Sequence, residues 1–264
     1  MEDATIQNLL TIPAMLTFVL ILIRVSGIFV SAPLLSGRGI PGRVKIAISV
    51  GMALILYPLH VKTPGFVVPT DLLGFTVVGF QELVIGLLIG YAAELLFTGI
   101  RMSGEYLAVQ MGLSISSVLD PVSGTQTAVL GQFYFLFAFI LFLILNVHHA
   151  LIAGLEKSFY WIPLGQGITN WAVLAEKFMM LTADMFKVSL LVGLPVMGVL
   201  LVTEISMAFM AKVMPQMNIF IVGLPLKAVI GMLVVMATLP FMVGFLSDQY
   251  TELVQHVLGL YKHV

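Results

Sequence analysis

The 264-residue chain has no cysteine, two tryptophans and little charge, with Asp, Glu, Lys and Arg together making up 9% of it. The missing cysteines exclude disulfides, zinc-thiolate centres and thiol nucleophiles; they say little about compartment, because a membrane bundle needs no such cross-links. A soluble globular domain carries about 25% charged residues, so soluble enzyme chemistry starts from a low expectation. The net charge of -1 leaves no basic stripe to neutralise phosphates, which argues against a nucleic-acid partner. No glycine-rich phosphate loop, triad spacing or carboxylate cluster occurs, so neither catalysis nor a cofactor is expected. Met1-Glu2-Asp3 lacks the basic start of a secretory leader, and an uncleaved first helix is expected.

What the chain has in quantity is apolar surface. Hydrophobic residues make up 60% of it and the mean hydropathy is +1.10, which places it among polytopic, all-α membrane proteins that contact lipid. A bilayer-length reading gives about six apolar segments, at residues 9–35, 44–61, 72–98, 127–155, 179–203 and 219–246. Each holds glycine or proline, including Pro13, Pro33, Pro58, Pro195, Pro225 and Pro240, so kinked helices and hairpins are expected. Arg38, Arg43 and Lys45 lie in one acid-free connection, which the positive-inside rule puts in the cytoplasm. The N-terminus and the 156–178 connection then fall outside, and the 99–126 and 204–218 connections inside. Asp71, Asp120 and Asn170 stand where helix starts or turns want them.

The few charges interrupt these segments. Arg24, Glu82, Glu94, Asp184, Lys187 and Glu204 lie within or beside apolar runs, where a charge at mid-bilayer depth costs roughly 2.5 to 3.5 kcal/mol. They are expected to face one another, water or other subunits. Glu82, Gly86, Gly90 and Glu94 recur every four residues, placing a Gly-x-x-x-Gly pair between two acids on one helix face, where another backbone approaches closely. Continued helix would add Arg101 and Glu105 as a charge ladder on nearly the same face, read as structural pairing ahead of a proton relay. Adjacent His148 and His149 point about 100° apart on a helix, a poor arrangement for a metal. The aromatic run from Phe133 to Phe142 reads as packing or lipid contact, and Trp161 and Trp171 as an interfacial belt.

Two stretches fit neither lipid-facing helix nor solvated loop. Residues 104–124 are too apolar for a loop and too rich in Ser, Gly and Asp-Pro for a span, which leaves a re-entrant or pore-lining segment or an interfacial connector. The second is a helical hairpin in the last third. Its tip, Met214 to Lys227, includes Pro215, Gln216, Asn218 and Pro225, with Lys227 at the head of the return helix, available to Glu204 or to a partner. Most of the sixteen methionines fall between Met179 and Met242; the unbranched thioether suits irregular packing, and core filling is the plainest reading.

Together these stretches resemble the FliR family (FliR/SpaR/EscT-like), the export-gate subunits of flagellar and virulence type III secretion. The matching residues are Arg24 with Ser31-Ala32-Pro33, Ile40-Pro41-Gly42-Arg43-Val44-Lys45, Gly104-Glu105-Tyr106 through Gln110-Met111-Gly112-Leu113-Ser114, Asp120-Pro121, Asn146-Val147-His148, and Met214 to Lys227. They span nearly the whole chain in order. The resemblance implies a single export-gate domain over 1–264, a FliP-like part (about 1–180) fused to a FliQ-like hairpin (about 181–264). It further implies assembly with FliP and FliQ in the bacterial inner membrane, within the flagellar basal body. FlhB and FlhA are the further partners it implies, with unfolded rod, hook and filament proteins as cargo. The segment at 104–124 corresponds to the family's pore plug, with Met111, Gly112, Leu113, Ile115, Val118, Leu119, Asp120 and Pro121 as its candidates and Gly112 and Gly124 as flexible ends. Relatives often carry phenylalanine where this chain has Ile115 and Val118, so the seal would be aliphatic. Arg24, Glu82, Glu94, Arg101, Glu105, Asp184, Lys187, Glu204 and Lys227 would form buried or intersubunit charge contacts, and Pro215, Gln216, Asn218 and Pro225 a partner-facing tip. A transporter or channel acting alone, and the injectisome subunit, remain the competing expectations.

Overall fold

The computed structural model describes residues 11–33, 41–60, 69, 71–113, 129–216 and 218–259. Among them no strand occurs. The helices are α1 (Ile12–Ser31), α2 (Gly42–His60), α3 (Leu72–Gln110), α4 (Val129–Ile144), α5 (Val147–Trp161), α6 (Trp171–Val213) and α7 (Ile219–Gly259). Five of these, α1, α2, α3, α6 and α7, are long and apolar enough to cross a membrane, and α4 with α5 make a sixth candidate if the broken pair counts as one. The all-α class and the number of apolar segments follow the sequence expectation.

Helix ends do not follow it. The segments read as ending at 98, 203 and 246 run on as helix to Gln110, Val213 and Gly259, and the connection read as 156–178 shrinks to the residues between α5 and α6. Hydropathy falls where charges such as Arg101, Glu204 and Asp248 begin, but backbone hydrogen bonding continues through any residue of fair helix propensity. With 39 residues, α3 is about 58 Å long, nearly twice the roughly 30 Å of a hydrocarbon core. The segment read as continuous over 127–155 breaks at Leu145 and Asn146, where Asn146 takes the left-handed conformation with φ 55°. Lys227, expected at the head of the return helix, lies two turns inside α7, because that helix already starts at Ile219 and runs through Pro225.

Local chemistry explains several helix ends. An oxygen of Asp71, Oδ2, accepts from the Gly74 N–H at 2.7 Å, and Oδ1 of Asn170 accepts from that of Val173 at 3.3 Å, satisfying amide donors that open α3 and α6. Pro13 sits in the first turn of α1, where its missing N–H has no helical partner to lose. The end of α3 is closed by Gly112 at φ 76°. Its N–H reaches the Val109 carbonyl at 3.0 Å, and that of Leu113 reaches Ala108 at 2.9 Å, the paired bonds of a Schellman stop.

Packing divides the chain into two compact units, neither continuous in sequence: residues 1–94, 146–181 and 252–264, and residues 95–145 and 182–251. In the first, α1 packs on α2, with Phe18 edge-on to Tyr57, and Leu20, Ile21, Val25, Ile85 and Ile89 are fully buried. The second is built on Phe97, which meets Phe135, Phe142 and Tyr250; the Tyr250 hydroxyl donates to the Ala138 carbonyl at 2.5 Å. Removing these side chains from water drives each core.

Candidate functional site

In the first unit α1 and α3 run parallel at backbone contact. A Cβ at Gly27 would stand 2.8 Å from the Leu83 carbonyl oxygen, one at Gly86 would collide with the Arg24 carbonyl, and one at Gly90 would lie 2.9 Å from the Ile28 carbonyl oxygen. The Gly-x-x-x-Gly spacing read from sequence therefore places α3 against α1.

This approach brings Arg24 and Glu82, both without solvent exposure, into a buried ion pair in which Nε of Arg24 donates to Oε2 of Glu82. Two other segments complete it. Nη1 of Arg24 donates to the Ile162 carbonyl at 2.9 Å and to the Ser158 hydroxyl at 3.3 Å, and the guanidinium lies 4.2 Å from the Phe159 ring centre. On the acid, Oε1 accepts from the Gly165 N–H at 3.0 Å. One residue earlier on α3, Gln81 meets Gly167, whose φ of 67° suits glycine and where a Cβ would sit 2.6 Å from the Gln81 amide oxygen. A buried pair repays its desolvation only when its remaining donors and acceptors are also met, and here all but Nη2 of Arg24 have partners among the described residues. Sequence reasoning singled out Arg24 and Glu82 but missed Ser158, Phe159, Ile162 and Gly165. The only available signal was the glycine-rich run Pro163 to Gly167 after α5.

The remaining expected site residues fall elsewhere. Glu94 is half-buried in the first unit. In the second, the Arg101 guanidinium lies 4.4 Å from the Phe135 ring centre, and the Glu105 stem passes Gly131, where a Cβ would stand 2.6 Å from Cγ of Glu105. Asp184 is half-buried and Lys187 exposed. Lys227 pairs with Glu204 across the α6-α7 hairpin, and Pro215, Gln216, Asn218 and Pro225 are exposed. Of the plug candidates, Met111 is 1% exposed and fills the notch over Gly231 of α7, Gly112 is the α3 stop, and Leu113 is exposed. Ile115, Val118, Leu119, Asp120, Pro121 and Gly124 lie outside the described residues.

A sequence profile described as bacterial export proteins, family 1, matches residues 15–253. Similar along most of their length are proteins named flagellar biosynthetic protein FliR. That of Bacillus subtilis (strain 168) is 32% identical over 86% of this chain and 88% of its own. Those of Buchnera aphidicola subsp. Acyrthosiphon pisum (strain APS) and Escherichia coli (strain K12) are 31% identical over 95% of both chains and 29% identical over 88% and 87%. A match of this extent, on an all-α chain with five helices fit to span a membrane, leaves one assignment: the chain belongs to the bacterial export proteins, family 1.

Proposed function

We propose that the chain is a subunit of the flagellar type III protein export gate in the bacterial inner membrane, within the flagellar basal body. The observation that carries this reading is similarity to proteins named FliR over nearly the full length of both partners. In this reading it assembles with FliP and FliQ into the entry pore for unfolded rod, hook and filament proteins. Residues from about 1 to 180 act as the FliP-like part and from about 181 to 264 as the FliQ-like hairpin. FlhB and FlhA are the cytoplasmic-side partners, and the exposed tip at Pro215, Gln216 and Asn218 is the surface offered to FlhB.

The large apolar side chains left exposed on α6 and α7, among them Phe209, Val213, Ile221, Val229 and Phe241, support a chain completed by lipid and neighbouring subunits. Beyond the Gly112 stop, the apolar stretch to Asp120 serves as the seal of the empty pore, since an apolar constriction closes by dewetting. Expression of a tagged copy in cells lacking their own tests the assignment. Motility and hook-protein export should return, and FliP and FliQ should co-purify; a monodisperse chain that purifies alone and restores neither would reject it. Shortening the segment between Gly112 and Asp120 should make such cells leaky to ions, and unchanged conductance would remove the sealing role.

A further inference from the structure

Within the first unit, the chain leaving α5 turns some of its residues inward while Gln166 stays exposed. Ile162, Leu164 and Ile168 are 3%, 1% and 7% exposed, and Gly167 is buried. The level it reaches can be counted on its neighbours. Arg24 stands twelve residues into α1, about 18 Å from its start, and Glu82 ten residues into α3, about 15 Å from its start. The two helices run parallel, so residues 162–167 lie far inside the ends from which both begin. Backbone outside a helix needs partners for its polar groups, and here the ion pair supplies two of them.

We propose that residues 162–168 form a fixed turn of the first unit, and that Arg24 and Glu82 are the positioning residues that hold it. The pair is directional. Its cationic end meets an acceptor, the Ile162 carbonyl, and its anionic end meets a donor, the Gly165 N–H. Exchanging the two charges would preserve the attraction between helices but set a carboxylate toward the carbonyl and a guanidinium toward the N–H. With an ion pair that only joined α1 to α3, the exchange would leave the turn in place; with a bracket for the loop, it releases it.

The natural absence of cysteine permits a direct test in sonicated membranes, with both faces open to a charged maleimide. Single cysteines are placed at buried Leu164, at exposed Gln166 and, as a control elsewhere in the same unit, at buried Ala53. In the unaltered background L164C and A53C should resist labelling while Q166C reacts. The exchange R24E/E82R should raise L164C labelling roughly tenfold, the equivalent of losing one charged hydrogen bond, with A53C still protected. Arg24→Lys keeps the charge but loses the planar fork, so it should expose L164C in the same direction and decides the matter if the exchanged chain does not accumulate. The proposal is overturned if L164C labels as fast as Q166C at the outset, if it stays protected in Arg24→Lys or in an accumulated exchange variant, or if A53C opens equally.

Discussion

Two ion pairs among the described residues have the same chemistry in different surroundings. Arg24 and Glu82 are both 0% exposed, whereas Lys227 and Glu204 are 17% and 42% exposed in the α6-α7 hairpin. Water screens the second pair and solvates either partner if the other is lost, so its net contribution is at most about 1 kcal/mol. The first pair has no such alternative, and its charges are tolerable only together with Ser158, Ile162, Phe159 and Gly165. A charge inside an apolar segment thus carries two meanings. In α1 and α3 it fixes the interior of one unit, and in the hairpin it decorates an element whose apolar faces are still uncovered.

The sharpest way to break this contrast is to remove one partner of the buried pair. Glu82→Ala strands the Arg24 guanidinium with no solvent access, a loss of about 3 to 5 kcal/mol. Full-length chain in the membrane should fall to a small fraction of normal on immunoblots, and swimming of complemented cells should be abolished. Accumulation at the normal level would mean that the buried pair matters no more than the half-buried one.

A middle-sized effect separates closed from open helix faces. At Gly86 a methyl group meets the Arg24 backbone carbonyl, which cannot swing aside, so Gly86→Ala forces α1 and α3 apart at a cost of about 1 to 3 kcal/mol. No atom lies within 4 Å of a Cβ at Gly198 on α6, and Gly198→Ala should stabilise by roughly 0.5 to 1 kcal/mol through helix propensity. Thermal unfolding of the two purified variants in detergent should shift in opposite directions. If Gly198→Ala instead lowers co-purification of other gate subunits while leaving the chain stable, its open face is where one of them seats.

Much of this was legible in the sequence, for reasons particular to each feature. The four-residue spacing of Glu82, Gly86, Gly90 and Glu94 is a local pattern, and one helix face follows from it directly. That Arg24 answers Glu82 across 58 positions is not local: composition said only that such a charge needs a partner. The inward packing of Ile162, Leu164 and Gly167 is hidden for a related reason. The 156–178 connection reads only as an outside loop, and the hydrogen bonds that fix its start come from side chains far away in sequence. Helix ends differ wherever hydropathy stops before hydrogen bonding does, and the break falls at Asn146, a residue that tolerates the left-handed conformation, because the apolar run on either side masks its stop signal.

The smallest expected effect lies at the half-buried pair of the hairpin. Lys227→Met keeps a long unbranched stem on α7 while removing the ammonium, and Glu204, 42% exposed, retains water in its place. Membrane accumulation should stay near normal and stability should change by no more than about 1 kcal/mol, with the difference shrinking further in high salt. Salt is the discriminating variable, because a screened surface pair loses its remaining contribution as ionic strength rises while a buried one does not. A stability loss as large as that of Glu82→Ala and indifferent to salt would show that the hairpin pair is buried in the cell, covered by a neighbouring subunit. It would then belong with Arg24 and Glu82 as a structural lock, and the contrast between the two units would hold only for the chain by itself.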